Sequence, residues 1–287
     1  MFTLNHQSLI LISSCLLISQ SNAQATTQQT TEVQSKYDAL KLSATYPDGF
    51  GIPLKAQALL NVVYPSGNVN LGQLYNKSDV ATKPTISVTP LADAVNNFKA
   101  PNAFTLVLTD ANALGNPDPE KNFRHFLENR ATFVDASQNG TMSLNDGTGT
   151  VVTSYVAPGP LLNSGLHRYA WLLFAQPSGF AAPSNLSTAN VGPGHWDFNA
   201  YVTASGLGDL VASSFFTVQN GTVSFSSNST TTSNSTTSSA GNTTSTSTTT
   251  AKPNGTTASF APGQFVNMVD MIKIAAGGIA CISLLLV

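Results

Sequence analysis

The chain has 287 residues, a formal net charge of −2 at neutral pH and only 9% charged residues. It has no basic run and no cluster of Lys and Arg among aromatic residues, which argues against a nucleic acid as partner. Cys15 and Cys281 lie in apolar segments near the two termini, so the chain between them cannot use cysteine nucleophiles or zinc-finger chemistry. It also lacks a Gly-x-Ser-x-Gly sequence and a phosphate loop, and we expect neither enzymatic activity nor a bound cofactor.

The amino terminus has the pattern of a cleaved secretory signal. Residues 1–23 contain an apolar run and end with Ser21 and Ala23, the small side chains that a signal peptidase requires. The following residues, 24–36, are rich in Gln and Thr and poor in apolar side chains, which predicts a disordered leader. We therefore expect the mature chain to be secreted.

The carboxyl terminus has the pattern of a lipid-anchored protein. Residues 221–257 are almost entirely Ser, Thr, Asn and Gly, a composition typical of a glycosylated stalk. Residues 258–287 end in an apolar tail shorter than the about 20 residues of a membrane span. This predicts a glycosylphosphatidylinositol attachment signal, with Asn254 as the candidate attachment residue. A frayed amphipathic terminal helix is the alternative.

Asparagine sequons support this location. N-glycosylation acceptors occur at Asn76, Asn139, Asn185, Asn220, Asn228, Asn234 and Asn242. Each sequon is weak evidence by itself, but together with a secretory signal they predict a glycoprotein. We expect it at the cell surface, anchored through the lipid to the plasma membrane or the cell wall.

Residues 37–220 remain as one folded domain in which turn residues separate strand-like runs. The runs cover residues 58–64, 85–88, 104–109, 149–156, 167–174 and 215–218. Helical periodicity is scarce, and its two candidates are a turn over 119–127 and a segment over 198–210. The domain is predicted to be mainly β and monomeric, with antiparallel strands and a few peripheral helices.

Residues 165–174 predict a central strand, because both of its faces become apolar toward its end. One face would carry His167, Tyr169, Trp171 and Leu173, and the other Arg168, Ala170, Leu172 and Phe174. The histidine that opens this strand is either a hydrogen-bonded filler or the edge of a pocket. Arg168 is expected to form a structural ion pair.

Three ionisable residues stand in otherwise apolar sequence. Asp110 ends one apolar run, His125 precedes another, and His167 opens the central strand. Because a buried ionisable group costs several kcal/mol unless it is paired, convergence of the three on one cavity would indicate a binding site. Solvated loops are expected for His195, Asp118 and Glu120.

Four sequence blocks, in this order, resemble the phosphatidylethanolamine-binding protein family. Residues 104–113, FTLVLTDANA, are similar to its strand and "DPDAP" loop, and residues 124–127, RHFL, to its "HHFL" strand. Residues 155–160, YVAPGP, and 165–169, GLHRY, resemble its "YxGxGP…GxHRY" signature. The similarity covers about residues 55–220.

The resemblance implies a large antiparallel sheet packed on a smaller one, with a small anion pocket at one end. Transferred position by position, it places in this pocket Asp110, Phe123, His125, Gly159, Pro160, His167 and Tyr169. Imidazole and backbone N–H groups and a tyrosine hydroxyl are suitable donors to phosphate oxygens. The loop departs from the family at Asn112, which replaces an aspartate and removes an acceptor for the ammonium group of a phosphoethanolamine ligand.

Four functions remain compatible with the sequence. The leading hypothesis is a binding protein for a phosphate-containing small molecule or a phospholipid head group. A second is inhibition of a secreted protease, because the family includes an inhibitor of a vacuolar serine carboxypeptidase. The enzyme alternative would use His125, His167 and Asp110 as a two-histidine, one-carboxylate metal site. The last is a surface or wall glycoprotein without a ligand.

Overall fold

A computed structural model describes residues 24–135 and 140–222. The predicted signal and attachment segments lie outside these ranges, as does the stalk beyond residue 222. So do the sequons at Asn139, Asn228, Asn234 and Asn242 and the candidate attachment residue Asn254. Within the described ranges, no helix is long and apolar enough to cross a membrane.

The described residues form two α-helices, α1 (Thr27–Ala39) and α2 (Phe198–Ala204), and twelve strands. The strands are β1 (Ala58–Tyr64), β2 (Gly67–Asn68), β3 (Leu74–Tyr75), β4 (Thr85–Pro90), β5 (Ala103–Ala113), β6 (Asn122–Ala131), β7 (Phe133–Asp135), β8 (Met142–Leu144), β9 (Thr150–Thr153), β10 (Leu166–Gln176), β11 (Gly194–Trp196) and β12 (Leu210–Gln219). Two short 3-10 helices are Val95–Phe98 and Ser184–Leu186. The prediction of a mainly β fold is confirmed.

The strands form two sheets that pack face to face. The smaller sheet has the order β2-β1-β4-β8-β7, and the larger one has the order β11-β6-β5-β10-β12-β3, with β9 also paired to β6. Apart from the parallel pair of β12 with β3, the pairings between these named strands are antiparallel. Alternate residues such as Leu60 of β1 and Trp171 of β10 fill the core between the sheets.

Strand β10 is central, as predicted, because it pairs with β5 on one edge and β12 on the other. The core between the sheets receives Tyr169, Trp171 and Leu173. A second core, under the helices, receives Ala170, Leu172 and Phe174. Both faces of the strand are therefore covered, and its first residues lie at one end of the sheet.

The prediction of a disordered leader over 24–36 is wrong. Helix α1 begins after Thr26, whose hydroxyl accepts from the N–H of Gln29 while the Gln29 side chain accepts from the N–H of Thr26. This capping box provides acceptors for backbone N–H groups at the start of the helix. Val33 and Tyr37 lie one turn apart and are both buried. A cap and two correctly spaced apolar side chains thus order a segment whose composition suggests disorder.

The predicted helical turn over 119–127 is wrong as well. Residues from Asn122 onward form β6, which pairs with β5 along one edge and with β11 and β9 along the other. Phe126 and Leu127 enter opposite cores. Burial of successive residues on two faces favours a strand over a helix. The second predicted helix, over 198–210, is confirmed in its first half only, because α2 ends at Ala204.

The predicted glycosylation acceptors within the described residues differ in accessibility. Asn76 and Asn185 are exposed. Asn220 is half-buried, and its side-chain nitrogen donates to the carbonyl oxygen of Pro160 at 2.9 Å. Modification at these positions stays a prediction, and it fits Asn76 and Asn185 better than Asn220.

Candidate functional site

A cavity of about 580 Å³ opens at the end of the large sheet where β5 ends and β6 and β10 begin. Antiparallel pairing brings these three strand ends together. The segment after β9 and the loop between β5 and β6 complete the walls. All seven residues predicted from the sequence line it: Asp110, Phe123, His125, Gly159, Pro160, His167 and Tyr169. The structure therefore places them together, while their role in binding stays a prediction.

Asp110 and His167 form a buried pair in the cavity wall. Oδ2 of Asp110 lies 2.7 Å from Nδ1 of His167, and Oδ1 accepts from the N–H of Asn112 at 2.7 Å. The carboxylate is almost fully buried, and these bonds offset its desolvation. Since an ionised carboxylate can only accept, Nδ1 of His167 carries a proton.

Asn112 supports the loop that holds Asp110. Opposite the first residues of β10, strand β5 contains one extra residue, because Ala113 pairs with His167 and Asp110 pairs with Tyr169. Asn112 has a φ of +63° in this bulge, a conformation that asparagine tolerates better than most residues. Its side-chain nitrogen donates to Lys121 O at 3.0 Å. Asn112, which stands where the family has an aspartate, thus supplies an amide donor that an aspartate lacks.

Ser164 completes the environment of His167. Its Oγ lies 2.9 Å from Nε2 of His167 and 2.7 Å from Leu161 O. These distances resemble a Ser-His-Asp hydrolase triad. However, the carbonyl of Leu161 can only accept, so the hydroxyl proton of Ser164 is directed at Leu161. It is therefore not directed at the histidine, as it would be in a hydrolase triad.

His125 has a different hydrogen-bonding state from His167. Its Nδ1 donates to Val156 O at 2.9 Å, and the structure records no hydrogen bond to its Nε2 from the described residues. Burial lowers the pKa of His125, and the Val156 carbonyl and Asp110 only partly offset this effect. The ring is therefore neutral near pH 7, with Nε2 as an acceptor that can take up a proton.

Aromatic rings form the walls between these polar groups. Tyr169 lies with its ring centroid 5.3 Å from that of His125 and 6.3 Å from that of His167. Phe123 lies 4.9 Å from His125 and 5.1 Å from the ring of His195. Burial and the neighbouring Asp110 raise the pKa of Tyr169, so its hydroxyl remains a donor. The cavity thus combines donors with apolar surface.

The cavity also contains His195 and Asp118, which sequence reasoning assigned to solvated loops. Strand β11 pairs His195 with Phe123, and Nε2 of His195 lies 3.0 Å from Oδ2 of Asp118. Its Nδ1 lies 3.2 Å from Oε2 of Glu120. Both carboxylates and the histidine lie within reach of one another, although they come from distant segments. No local pattern around His195 could have revealed this pairing.

The geometry does not favour the metal site of the enzyme alternative. Both nitrogens of His167 are engaged, and Nδ1 of His125 is engaged with a carbonyl. The cluster of Asp118, Glu120 and His195 brings three potential ligand atoms within 4.8 Å of one another. There, each nitrogen of His195 already faces a different carboxylate. These contacts join His195 to both carboxylates at the cavity edge.

The two arginines next to the predicted site residues face away from the cavity. Arg124, at the first position of the RHFL block, donates to Thr153 Oγ1 and Gly192 O. Arg168 was expected to form an ion pair. Its guanidinium instead donates to four backbone carbonyls, those of Leu40, Asp48, Ala111 and Asn112. Its role is structural, with carbonyl acceptors in place of a carboxylate.

Comparisons with known proteins identify the family. The family model described as phosphatidylethanolamine-binding protein matches residues 62–225. An uncharacterized protein of Saccharomyces cerevisiae is 28% identical over 177 residues, covering 58% of this chain and 84% of that protein. CEN-like protein 1 of Nicotiana tabacum is 29% identical over 164 residues, covering 57% and 82%. The crystal structure of carboxypeptidase Y inhibitor complexed with the cognate proteinase is similar to this chain, with a TM-score of 0.53 and 22% sequence identity. The similarity covers 67% of this chain and 96% of that chain, and it supports the fold. Because the family model matches more than half of its residues, the chain belongs to the phosphatidylethanolamine-binding protein family.

Proposed function

We propose that the chain is a non-enzymatic binding protein whose cavity takes a phosphate-bearing head group. The observation that carries this proposal is the convergence of His125, His167 and Tyr169 on one cavity with aromatic and aliphatic walls. Nε2 of His125, once it has taken up a proton, and the phenolic hydroxyl of Tyr169 are donors suited to phosphate oxygens. The description of the family as phosphatidylethanolamine-binding proteins supports the same ligand class.

The carboxylates favour a ligand that also carries an ammonium group. Among the residues that the structure describes, Asp110 and Asp118 line the cavity and no Lys or Arg does. These charges would repel a simple anion, but phosphoethanolamine could direct its phosphate to the histidines and its ammonium group to Asp118. Asp118 would then provide the acceptor that is missing at Asn112.

Calorimetric titration of the full chain with phosphoethanolamine tests this proposal. We expect His125→Phe to weaken binding at least about tenfold, because a hydrogen bond to a charged group contributes about 1.5–3 kcal/mol. Asp118→Asn should weaken binding of phosphoethanolamine more than binding of inorganic phosphate. Asn61→Ala is the control, since Asn61 lies on β1 in a separate groove. No binding by the unsubstituted chain, or equal affinity of the His125 variant, would contradict the proposal.

A second candidate function is inhibition of a serine carboxypeptidase. The structural similarity to carboxypeptidase Y inhibitor, which was crystallised with its cognate proteinase, suggests it. Addition of the purified chain to secreted serine carboxypeptidases, with peptide hydrolysis as the readout, tests it directly. A slower hydrolysis rate would support inhibition, and an unchanged rate at saturating chain concentration would dismiss it.

We further propose that the protein is secreted, glycosylated, monomeric and anchored by lipid at the cell surface. The apolar terminal segments, the Ser- and Thr-rich residues 221–257 and the sequons support this location. Release of the protein from cells by a phosphatidylinositol-specific phospholipase or by wall-degrading glucanase is expected. Retention after both treatments would contradict the lipid anchor, and an unchanged mass after glycosidase would contradict N-glycosylation.

A further inference from the structure

Exposed apolar side chains concentrate around the mouth of the cavity. The described residues include eight exposed large hydrophobic side chains, and five belong here: Leu114 (48% exposed), Val156 (37%), Leu161 (79%), Leu162 (69%) and Leu166 (42%). Val156 and Leu161 line the cavity itself, and Leu114 and Leu166 directly adjoin Ala113 and His167, which pair between β5 and β10. We call these five residues the apolar rim. An apolar patch beside a polar cavity is typical of a contact surface.

Hydrogen bonds hold the most exposed part of the apolar rim in place. The N–H and hydroxyl of Ser164 donate to Leu161 O at 3.2 and 2.7 Å. The N–H of Asn163 donates to Asn220 O at 2.7 Å, and the side chain of Asn220 donates to Pro160 O at 2.9 Å. The two leucines of this turn therefore project from a fixed backbone, which reduces the entropy cost of contact with a partner.

We propose that the apolar rim inserts into the interfacial layer of a phospholipid bilayer, so that the cavity takes the head group of a lipid still in the membrane. This inference rests on the proposed head-group binding. A phospholipid has a polar head beside apolar chains, and this site has a polar cavity beside an apolar rim, so each part of the lipid meets a complementary surface. A soluble phosphate ester would leave the rim in water.

The charges at the cavity mouth select the kind of bilayer. Asp110 and Asp118 line the cavity, residues 24–135 and 140–222 add no Lys or Arg to its lining, and the exposed Glu120 contacts His195 beside it. Such a mouth does not attract an anionic surface. Bilayers with ethanolamine and choline head groups should therefore bind better than bilayers enriched in anionic lipid.

The point at which the chain leaves the domain agrees with a membrane-facing rim. Asn220 directly follows β12 and accepts a hydrogen bond from the turn that carries Leu162. The side chain of Leu162 packs close to Gly221, where an added Cβ would lie 2.8 Å from it. Residues 223–287, with the predicted lipid-attachment signal, thus start at the apolar rim. An anchor on that segment would keep the rim near the bilayer.

Partitioning of the full chain onto vesicles of equal parts phosphatidylcholine and phosphatidylethanolamine tests the proposal. Leu162→Ser and Leu166→Ser, neither of which lines the cavity, should each lower the partition coefficient at least about threefold, because the inserted apolar area is lost. Val134→Ser is the matched control: this residue is 46% exposed but lies on β7, outside the rim. All variants carry the same carboxyl-terminal segment, so differences report on the rim.

Titration with soluble phosphoethanolamine separates the rim from the cavity. The Leu162→Ser and Leu166→Ser variants should bind phosphoethanolamine with the same affinity as the unsubstituted chain. Equal partitioning of these variants and the unsubstituted chain, or an equal loss in the Val134 variant, would overturn the proposal. It is also wrong if the rim variants partition normally but lose inhibition of a serine carboxypeptidase, because the rim is then a protein contact. Failure of the unsubstituted chain to bind phosphoethanolamine would instead contradict the proposed function.

Discussion

At the scale of single residues, two histidines in similar sequence surroundings have acquired different chemistry. His167 is held between Asp110 and Ser164, which engage both of its nitrogens. His125 donates through Nδ1 to Val156 O, and burial keeps its ring neutral. Nε2 of His125 is therefore the ring nitrogen that is open to a phosphate. The hydrogen-bond partners, which the sequence does not reveal, decide which histidine can contact a ligand through an unoccupied nitrogen.

The affinity for phosphoethanolamine is expected to rise as the pH falls from about 7.5 to about 5.5. Because burial lowers the pKa of His125, its Nε2 must take up a proton before it can donate to a phosphate oxygen. Calorimetry across this range measures the effect. His125→Gln provides the control, because it removes the titrating imidazole and leaves the ligand and the rest of the cavity the same. Identical pH profiles for both proteins would contradict the assigned role of His125.

Arg168 offers a stability prediction at the same scale. Its guanidinium joins Leu40 and Asp48 of the amino-terminal segment to the bulge of β5 through backbone carbonyls. Arg168→Lys should lower the free energy of unfolding by about 3 kcal/mol or more, since an ammonium group cannot reach all four acceptors. Urea denaturation measures this loss. Lys55→Met, at an exposed surface pair, should change it by less than about 0.5 kcal/mol; a similar cost for both variants would refute the role given to Arg168.

At the scale of elements, the sequence predicts a helix or strand well when its apolar residues lie on the faces that the fold buries. Strand β10 is predictable because both of its faces are apolar, and the structure covers both. The sequence of β6 predicts a helical turn in part, because the strand depends on partners that are distant in sequence. Composition does not predict helix α1, because its stability depends on a cap and two buried side chains.

The contribution of helix α1 can be measured through Tyr37. This side chain is fully buried, and its ring packs edge-on against Phe215 of β12 with centroids 5.8 Å apart. Tyr37→Ala should reduce the free energy of unfolding by about 3–5 kcal/mol. Glu32→Ala, on the exposed side of α1, should cost less than about 1 kcal/mol. If chemical denaturation shows no loss for the Tyr37 variant, helix α1 does not belong to the folded unit.

At the scale of the whole molecule, the site is assembled from segments that only the sheet brings together. Asp110, His125 and His167 could be predicted because each interrupts an apolar run and because their blocks resemble one family in order. His195 and Asp118 could not, since they are 77 residues apart and meet only through the pairing of β11 with β6. Chain topology, which local periodicity does not encode, therefore determines the edge of the cavity.

The global stability also depends on one acid that the sequence gives no reason to suspect. Glu128 is 1% exposed, and among the described residues its carboxylate oxygens have no hydrogen-bond partner. Burial raises its pKa, and the charge of Lys83 offsets this only in part. Above its ordinary pKa of about 4.3, the unfolded chain releases this proton while the folded chain retains it. The free energy of unfolding contributed by Glu128 therefore decreases as the pH rises, up to the pKa of the folded state.

Glu128→Gln should remove this dependence, because an amide does not titrate. We expect the variant to gain stability relative to the unsubstituted chain as the pH rises above about 4.3, by up to about 1.4 kcal/mol per pH unit. Urea denaturation at a series of pH values measures the difference. Asp93→Asn, which removes an exposed carboxylate, serves as the control. The lowered pKa of His125 has the opposite effect, because it decreases the free energy of unfolding as the pH falls below about 6.5. His125 is present in both proteins, so its contribution cancels in the comparison. Parallel pH profiles for Glu128→Gln and the unsubstituted chain would show that the buried carboxyl group is not retained in its protonated form.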